Sequence, residues 1–495
     1  MANSVKTSMQ PVAPLDLRIP MSDGALIAVH RYPAPNGAPA PAVLMTTPYM
    51  KEGNAGWARR LNECGYEALI ADVRGINGSQ ARYEGLFSER EIQDGAELVE
   101  WIARQPFCDG GVALGGASYC GANQLLIAAR QPKGLRCIAP TVSPVDTYRD
   151  MFHRGAMPTH VWWPTHTYLP SRQTDTMQRG LVGFFNDVLC PPCDNEAHRR
   201  RSPEAGLTKI TCPVLCLGGW HDYFLRGTIR VFNLVSGPKR LVVGPWGHCE
   251  SDAFDELIPW LDYWLRGRGP NPTTSERVRL FRTGIDRWES RDDWVNTARM
   301  QWQRWHLITT AAAIPVHANI STVGAALNPK RQHAGDARDG ISVWAEDGVF
   351  DGEPVTAVTD LTGPIGVRLV MCSSECRDLD LRVRLSVVAA DGSCLQLVEG
   401  RLRASHRATN VEKSWRTNDG EVVVPWHEHE REELLPLGES VAIDMEVDPI
   451  CHRLAPGDRL RMGITIVRAD DVVAPSSVII DPQTRILLPV ETHTN

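Results

Sequence analysis

No stretch of this sequence is long and apolar enough to suggest a membrane span. A membrane-spanning helix needs roughly 20 consecutive apolar residues, and no run approaches that length. The N-terminal segment MANSVKTSMQPVAPLDLRIP also contains no apolar core of the kind that a secretory signal carries. We therefore expect no membrane partner and no secretory signal in this segment.

The sequence also has no excess of basic residues. Its 52 lysines and arginines are outnumbered by 59 aspartates and glutamates, which gives a net charge of −7. Surfaces that bind nucleic acid are strongly basic, so we expect no nucleic-acid partner. With 43% hydrophobic and 22% charged residues, the composition is that of a folded globular protein. A chain of 495 residues is longer than a domain with a single hydrophobic core usually is, so two or three domains are expected.

An even, closely spaced set of cysteines is missing. The 13 cysteines are scattered and odd in number, whereas small secreted domains carry even disulfide frameworks. We predict buried thiols and a cytoplasmic location. Cys190 and Cys193 form the only Cys-x-x-Cys pair, and no second pair with that spacing accompanies them. The sequence therefore predicts no metal and no cofactor.

The N-terminal part shows buried strands that alternate with amphipathic helices. Apolar runs predict strands at 41–47, 67–73, 111–114, 214–217 and 240–243. Between them, residues 89–104 have helical periodicity. This alternation is typical of a parallel sheet covered by helices. We assign 1–144 and 209–267 to one α/β core.

Two further regions differ from this pattern. Residues 145–208 lack strand-like runs and are rich in aromatics, proline and arginine, which predicts a helical cap inserted into the core. After a glycine- and proline-rich linker, residues 275–495 alternate apolar with polar positions, beginning with RVRLFRTG at 277–284. This period of two predicts half-buried antiparallel strands, and Asp391-Gly392 is a turn dipeptide between two of them. We expect a C-terminal all-β sandwich.

The segment GVALGGASYCG, at 111–121, carries the strongest chemical signal. An apolar strand ends in small residues and is followed by Ser118 and a helical pattern. This is the sequence form of a nucleophile elbow, a strained turn that lifts a serine hydroxyl out of a sheet. Cys120 stands where the strict Gly-x-Ser-x-Gly pattern has glycine. Because an ordinary glycine-rich turn has a similar sequence, the assignment depends on the partners of Ser118.

Those partners are Asp222 and His248. A serine hydroxyl needs an adjacent base, and the base needs an orienting carboxylate. In α/β-hydrolases the chain order is serine, acid, histidine, each after a strand. Asp222 lies in GGWHD after strand 214–217, and His248 lies in GPWGH after strand 240–243. We predict Ser118 as nucleophile, His248 as base and Asp222 as orienting acid. Taken singly, a loop acid and a loop histidine are the alternatives.

These motifs resemble those of the cocaine-esterase family, which includes Xaa-Pro dipeptidyl-peptidases and α-amino-acid ester hydrolases. The resemblance covers nearly the whole chain. It extends to Tyr49 in TTPYMK, DVRGINGS at 72–79, QPFCDGGV at 105–112, LDYWLRG at 261–267 and HRLAPGDRLRM at 452–462. It implies an α/β-hydrolase core, a helical cap inserted after the nucleophile helix, and a C-terminal jelly roll.

The resemblance also implies an oxyanion hole formed by the phenol of Tyr49 and the backbone N–H of Tyr119. A phenol is protonated at neutral pH and is a good neutral donor. The alternative for Tyr49 is a packing role after strand 41–47. Two positions depart from the family: His221 stands where tyrosine is usual, and Asn77 stands where glycine is usual. We interpret both as loop residues outside the chemistry.

The substrate side is less defined by the sequence. The cap residues Trp162 and Trp163, with Phe224, are candidates for an apolar acyl pocket, and the alternative is that they pack cap against core. Amino-ester hydrolases place carboxylates after the triad acid to hold a substrate ammonium, whereas YFLR follows Asp222 here. The cap histidines show no metal spacing and are interpreted as loop or surface residues; they are His153, His160, His166 and His198.

The sequence therefore predicts a serine hydrolase that cleaves carboxylic esters through a covalent acyl-enzyme. Its expected partner is a small-molecule ester or amide. Three alternatives stay open: an Xaa-Pro dipeptidyl-peptidase or amide acylase, an acyltransferase, and a non-catalytic carbohydrate-binding protein. The sequence is compatible with a homo-oligomer and does not define the physiological substrate.

Overall fold

The structure is a computed structural model that describes residues 13–159, 184–248, 250, 254–295, 300–307, 310–316, 348–469 and 476–492. Trp162, Trp163, His160 and His166 lie outside these residues.

One ten-stranded sheet forms the N-terminal part. Strands β1 to β6 are Leu15–Pro20, Leu26–Tyr32, Ala40–Thr47, Glu67–Asp72, Cys108–Ala117 and Leu135–Thr141. Strands β9 to β12 are Val214–Gly219, Lys239–Gly244, Val278–Arg282 and Arg287–Arg291. The strand order is β1-β2-β4-β3-β5-β6-β9-β10-β11-β12. From β4 to β11 in this order the strands are parallel, and β1, β2 and β12 are antiparallel to their neighbours.

Helices cover both faces of this sheet. The α-helices are α1 Ala55–Glu63, α2 Glu89–Ala103, α3 Tyr119–Ala128, α4 Glu196–Arg201, α5 Leu225–Leu234, α6 Phe254–Arg266 and α7 Pro272–Ser275. Along β3, Ala42 and Leu44 belong to the apolar cluster that includes residues of α2, α3 and α5, while Val43 belongs to the cluster that includes residues of α1 and α6. Alternate strand residues thus enter two cores, which explains the continuous apolar runs. Among the described residues, no helix has the length and hydropathy needed to span a membrane.

The described part of the predicted cap, 145–159 and 184–208, consists of short elements. It contains α4, the π-helical turns Thr147–Phe152 and Phe185–Leu189, and the 3-10 helix Pro203–Lys209. Two short strands, β7 His153–Arg154 and β8 Met157–Pro158, pair as a hairpin. In the α/β part of the chain, a 3-10 turn at Lys51–Asn54 follows β3.

The C-terminal domain is all-β and confirms that part of the predicted fold class. Strands β13 to β19 are Met300–His306, Ala312–Val316, Gly348–Asp351, Thr359–Gly363, Gly366–Ser373, Leu379–Val388 and Cys394–Arg403. Strands β20 to β26 are Trp415–Arg416, Val422–Val424, Ser440–Glu446, Ile450–Leu454, Arg459–Arg468, Ser476–Ile480 and Arg485–Glu491, and a 3-10 turn spans Ala404–His406.

These strands form two main sheets that share one apolar core. The larger sheet has the order β14-β25-β17-β26-β16-β23, with β13 on β26 and β22 on β17. The smaller has the order β15-β24-β18-β19. Leu369 of β17 and Leu381 of β18 belong to the same buried cluster, so the sheets pack face to face as a sandwich. A jelly-roll strand order stays a prediction.

Strand β11 corrects one assignment made from the sequence. It lies within RVRLFRTG, at 277–284, which we predicted to open the C-terminal sandwich after position 275. Instead, β11 pairs in parallel with β10, with Val278 opposite Leu241, and the α/β sheet continues to Arg291. Because β11 lies one strand from the edge of the sheet, its burial alternates along the strand. A period of two reveals a half-exposed strand and does not identify its sheet.

Candidate active site

Ser118 lies at a strained turn between β5 and α3. Its backbone has φ 60° and ψ −121°, a conformation that is costly for a residue with a side chain. The Ser118 N–H donates to the Thr141 carbonyl at 2.9 Å, and the Ser118 carbonyl accepts from the N–H groups of Gly121 and Ala122. The turn is thus fixed by a neighbouring strand and by the first turn of α3, as a nucleophile elbow requires.

The departure from the strict elbow pattern has a structural reason. A Cβ atom at Gly121 would lie 3.0 Å from both the Thr141 carbonyl oxygen and the Ser143 Cβ. The close approach therefore occurs at Gly121, one position after the usual glycine. Cys120 is buried in the apolar cluster beside the site, so the cysteine side chain is accommodated without opening the turn.

The structure brings Ser118, Asp222 and His248 together. The Ser118 hydroxyl lies 2.9 Å from His248 Nε2, and His248 Nδ1 lies 2.6 Å from Asp222 Oδ2. The Asp222 side chain is fully buried, whereas the His248 side chain is 21% exposed. With a neutral imidazole, Nδ1–H donates to the carboxylate, and Nε2 is free to accept the serine proton.

The loops that carry the acid and the base are joined to each other. A Cβ atom at Gly219 would overlap the Trp246 carbonyl, so the glycine of GGWHD lets the two loops meet. The His221 N–H donates to the same carbonyl at 3.0 Å. Asp222 Oδ1 accepts from the Phe224 N–H at 2.7 Å, which fixes the second carboxylate oxygen. Asp222 and His248 are therefore held in register by the backbone.

Two aromatic rings pack on the His248 imidazole. Tyr223 stacks on it with ring centroids 4.2 Å apart, and Phe224 meets it edge-on at 5.4 Å. Phe224 is only 2% exposed. It belongs to the apolar cluster beside the site, and its predicted contact with substrate stays a prediction.

Tyr49 follows β3 at the same edge of the sheet. It is 40% exposed, and its ring meets the ring of Tyr119 edge-on at 6.0 Å. The next residues are tied to the buried carboxylate of Asp72, which accepts from the Lys51 N–H at 2.7 Å and from the Lys51 ammonium at 3.2 Å. Asn77, at φ 48°, also donates to Asp72. The DVRGINGS motif thus anchors the loop that carries Tyr49.

Tyr119 begins α3, so its N–H is one of the first in the helix and has no acceptor within it. Its ring is buried and stacks on Phe87 with centroids 4.5 Å apart. Its hydroxyl donates to Glu91 Oε1. The side chains of Tyr49 and Tyr119, the two residues predicted to supply the oxyanion donors, therefore belong to one group of contacting side chains.

Glu91 was missed by the sequence analysis. It lies on α2, is 4% exposed, and burial raises its pKa to about 8. One sequence signal marks its position: Ser88-x-x-Glu91 is a capping box, and Ser88 Oγ accepts from the Glu91 N–H at 3.2 Å. That motif predicts the start of α2 and gives no information on the contact with Tyr119.

Other candidate sites lie apart from the triad. A cavity of about 690 Å³ between the cap, α5 and the C-terminal domain is lined by Trp294, Trp415 and Trp426, and by none of the triad residues. Within the described ranges, no group of three or more histidine, cysteine, aspartate or glutamate side chains is arranged to hold a metal ion. Cys190 and Cys193 are free thiols.

The family models match both parts of the chain. Residues 23–250 match the model described as X-Pro dipeptidyl-peptidase (S15 family). Residues 272–465 match the X-Pro dipeptidyl-peptidase C-terminal non-catalytic domain. Together these two matches span most of the chain, and the second begins before β11 and β12, which pair with the α/β sheet.

Individual proteins give the same result. A cocaine esterase from Rhodococcus sp. (strain MB1 Bresler) is 26% identical over 491 residues, which cover 80% of this chain and 84% of that protein. A CocE/NonD family hydrolase from Staphylococcus aureus has a TM-score of 0.78 at 18% identity, covering 96% and 93% of the two chains. An α-amino acid ester hydrolase has a TM-score of 0.77 at 16% identity, covering 99% and 100%.

The likeness to the solved structures confirms the predicted α/β-hydrolase fold class. The family models and the cocaine esterase confirm the resemblance inferred from the motifs. The chain therefore belongs to the cocaine-esterase and X-Pro dipeptidyl-peptidase-like family of hydrolases.

Proposed function

We propose that this hydrolase cleaves carboxylic esters by serine catalysis, with Ser118 as nucleophile, His248 as base and Asp222 as orienting acid. The observation that carries the proposal is the pair of hydrogen bonds on the His248 ring, 2.9 Å to a serine hydroxyl and 2.6 Å to a buried carboxylate. A nucleophile, a base and an orienting group in this arrangement can perform acyl transfer.

The reaction has two halves. Ser118 Oγ attacks the ester carbonyl while His248 Nε2 takes the hydroxyl proton, and Asp222 stabilises the imidazolium. The tetrahedral oxyanion accepts hydrogen bonds from the Tyr119 N–H and the Tyr49 phenol. His248 then protonates the leaving alcohol and leaves an acyl-enzyme. Water, deprotonated by His248, attacks the acyl group and releases the acid and free Ser118. This mechanism uses no cofactor.

A second candidate is an X-Pro dipeptidyl-peptidase, which the description of both family models favours. Such an enzyme must hold the free ammonium of its substrate, and burying that charge without an acidic partner is costly. The residues after Asp222 provide no carboxylate, and Arg226 is buried against Glu446. In the cap, Asp194 is buried and paired with Arg149 at 3.0 Å. We therefore place neutral acyl esters first.

A substrate panel tests this choice. Neutral acyl esters, free-amine Xaa-Pro anilides and N-acetylated Xaa-Pro anilides would be assayed in one buffer, each beside the Ser118→Ala variant. We expect the highest kcat/KM on the neutral esters and no turnover by Ser118→Ala. Faster cleavage of the free-amine anilides, lost on acetylation, would overturn the ester preference. An added alcohol that outcompetes water would favour the acyltransferase alternative.

We also propose a cytoplasmic location and small-molecule substrates. No two described cysteines form a disulfide, which suits a reducing compartment. Cell fractionation with thiol alkylation before lysis tests this, and disulfide-linked protein in an exported fraction would contradict it.

A further inference from the structure

The Glu91 carboxyl, on α2, contacts two side chains of α3, the helix that follows Ser118. Glu91 Oε1 accepts from the Tyr119 hydroxyl and, at 3.0 Å, from Asn123 Nδ2. Tyr119 and Asn123 are four residues apart, so they lie on the same side of the first turn of α3. One buried side chain of α2 thereby holds the end of α3 that follows Ser118.

The contact continues from Tyr119 to Tyr49. The Tyr119 ring is stacked on Phe87 at 4.5 Å, with 14° between the planes, and it meets Tyr49 edge-on at 6.0 Å. A ring that is held by stacking on one face and by a hydrogen bond at its hydroxyl has little freedom to rotate. Tyr49, which is 40% exposed, packs against that ring.

We propose that Glu91 is a positioning residue for the oxyanion hole, which holds the Tyr119 N–H and the Tyr49 phenol in place through the Tyr119 side chain. This inference rests on the proposed serine hydrolase function. Glu91 touches neither substrate nor reacting atoms. It acts through the geometry and the charge behind the two donors.

The charge of Glu91 is expected to affect turnover, because the carboxyl lies behind the residues that supply the oxyanion donors. At neutral pH the carboxyl is protonated, since burial raises its pKa to about 8. Ionisation above that pH would put a negative charge behind the site where the oxyanion develops, in a medium that screens it weakly. The charge would oppose the oxyanion, so turnover is expected to fall as Glu91 ionises.

Several other groups around Glu91 carry charge or titrate. Asp94 of α2 and Arg201 of α4 act on it electrostatically, and the buried hydroxyls of Tyr83 and Tyr119 face it. Burial raises the pKa of Tyr83 well above its usual value, so that phenol stays neutral in the range considered. Burial raises the pKa of Asp94 and lowers that of Arg201. Tyr49 is present in every variant below and cannot account for a difference between them.

The test compares pH profiles of the full-length protein. Wild type, Glu91→Gln, Tyr119→Phe and the control Glu100→Gln would be assayed on one neutral ester from pH 6 to 10. Glu100 is a part-exposed glutamate on the same helix. Glutamine keeps a carbonyl acceptor for Tyr119 and cannot ionise. We expect wild-type kcat to fall about tenfold around pH 8 with little change in KM, and Glu91→Gln to lose this fall. Glu100→Gln should follow wild type.

Tyr119→Phe gives a second, independent outcome. Removing the phenol takes a donor from the ionised carboxylate, so the alkaline fall should move to higher pH. Superimposable profiles for wild type and Glu91→Gln, or an unmoved fall in Tyr119→Phe, would overturn the positioning role. A purely structural Glu91 would lower the melting temperature of Glu91→Gln and leave the profile unchanged. Failure of the proposed function itself would appear differently, as an inactive wild type.

Discussion

His248 and a cluster of five buried histidines have opposite environments. His248 has a partner on each ring nitrogen, a serine hydroxyl and a buried carboxylate, and is part-exposed. The histidine cluster consists of five buried histidines from the cap and the C-terminal domain: His153, His198, His406, His427 and His429. Three of them surround the Tyr148 ring, with centroids 4.7 to 5.2 Å away.

The ring nitrogens of the histidine cluster are poorly partnered. His153 Nδ1, His198 Nε2 and His406 Nε2 have no hydrogen-bond partner among the described residues. Burial lowers the pKa of His153 to about 3, and of His198, His406 and His427 to about 4. A histidine thus becomes a base through a partner on each nitrogen and access to solvent, whereas burial alone leaves a neutral packing group.

The largest expected effect separates the two groups directly. His248→Gln should lower kcat by about 10⁴–10⁶-fold, because the serine loses its base, and should leave the melting temperature nearly unchanged. The matched variant His153→Gln, in the histidine cluster, should retain kcat and lower the melting temperature. Steady-state kinetics and thermal unfolding of both variants check this. A turnover loss of similar size in both would remove the distinction.

The next effect concerns a tyrosine in each region. Tyr49→Phe should lower kcat by about 10²–10³-fold, because one oxyanion donor is lost. Tyr148→Phe removes the buried phenol that donates to the Pro192 carbonyl, and should cost stability without changing turnover. Near wild-type turnover by Tyr49→Phe would leave Tyr49 with the packing role that was its alternative in the sequence.

The smallest expected effect is the pH dependence of stability. The folded pKa values of the histidine cluster lie below the unfolded value near 6.5, so the stabilising effect of neutral burial is complete above about pH 6.5. It is lost as pH falls toward 4, because the unfolded chain takes up protons first. The free energy of unfolding should therefore be lower at pH 5 than at pH 7.5.

Denaturant unfolding at both pH values measures that loss. His153→Gln has one titrating group fewer and should show a smaller difference between the two pH values. The same free energy of unfolding at pH 7.5 and pH 5 in the wild type would contradict the environment described for the histidine cluster.

The parts of the fold and site predicted well from the sequence depend on local patterns. The five predicted core strands correspond to β3, β4, β5, β9 and β10, since buried strands read as apolar runs whatever surrounds them. Ser118, Asp222 and His248 each follow a strand, and parallel strands bring their carboxyl ends to one edge of a sheet. Chain order and strand position were therefore enough to predict that the three residues lie close together.

The remainder depended on contacts between distant segments. His153 and His198 were predicted as loop or surface residues, and they are buried around Tyr148, whose ring also contacts His429 of the C-terminal domain, more than 200 positions away. The contact of Glu91 with Tyr119 joins two helices that no motif links. The sheet membership of β11 is likewise fixed by pairing, which alternation along one strand does not encode.

The most direct test of the central claim is covalent labelling of Ser118. A fluorophosphonate is attacked at phosphorus as an ester is at carbon, and only a serine with an activated hydroxyl reacts readily. Intact-mass analysis should show one adduct on the wild type and on Ser393→Ala, an exposed serine between β18 and β19, and none on Ser118→Ala. Peptide mapping should place the adduct on Ser118. An unmodified wild type, or an adduct on another serine, would contradict the account.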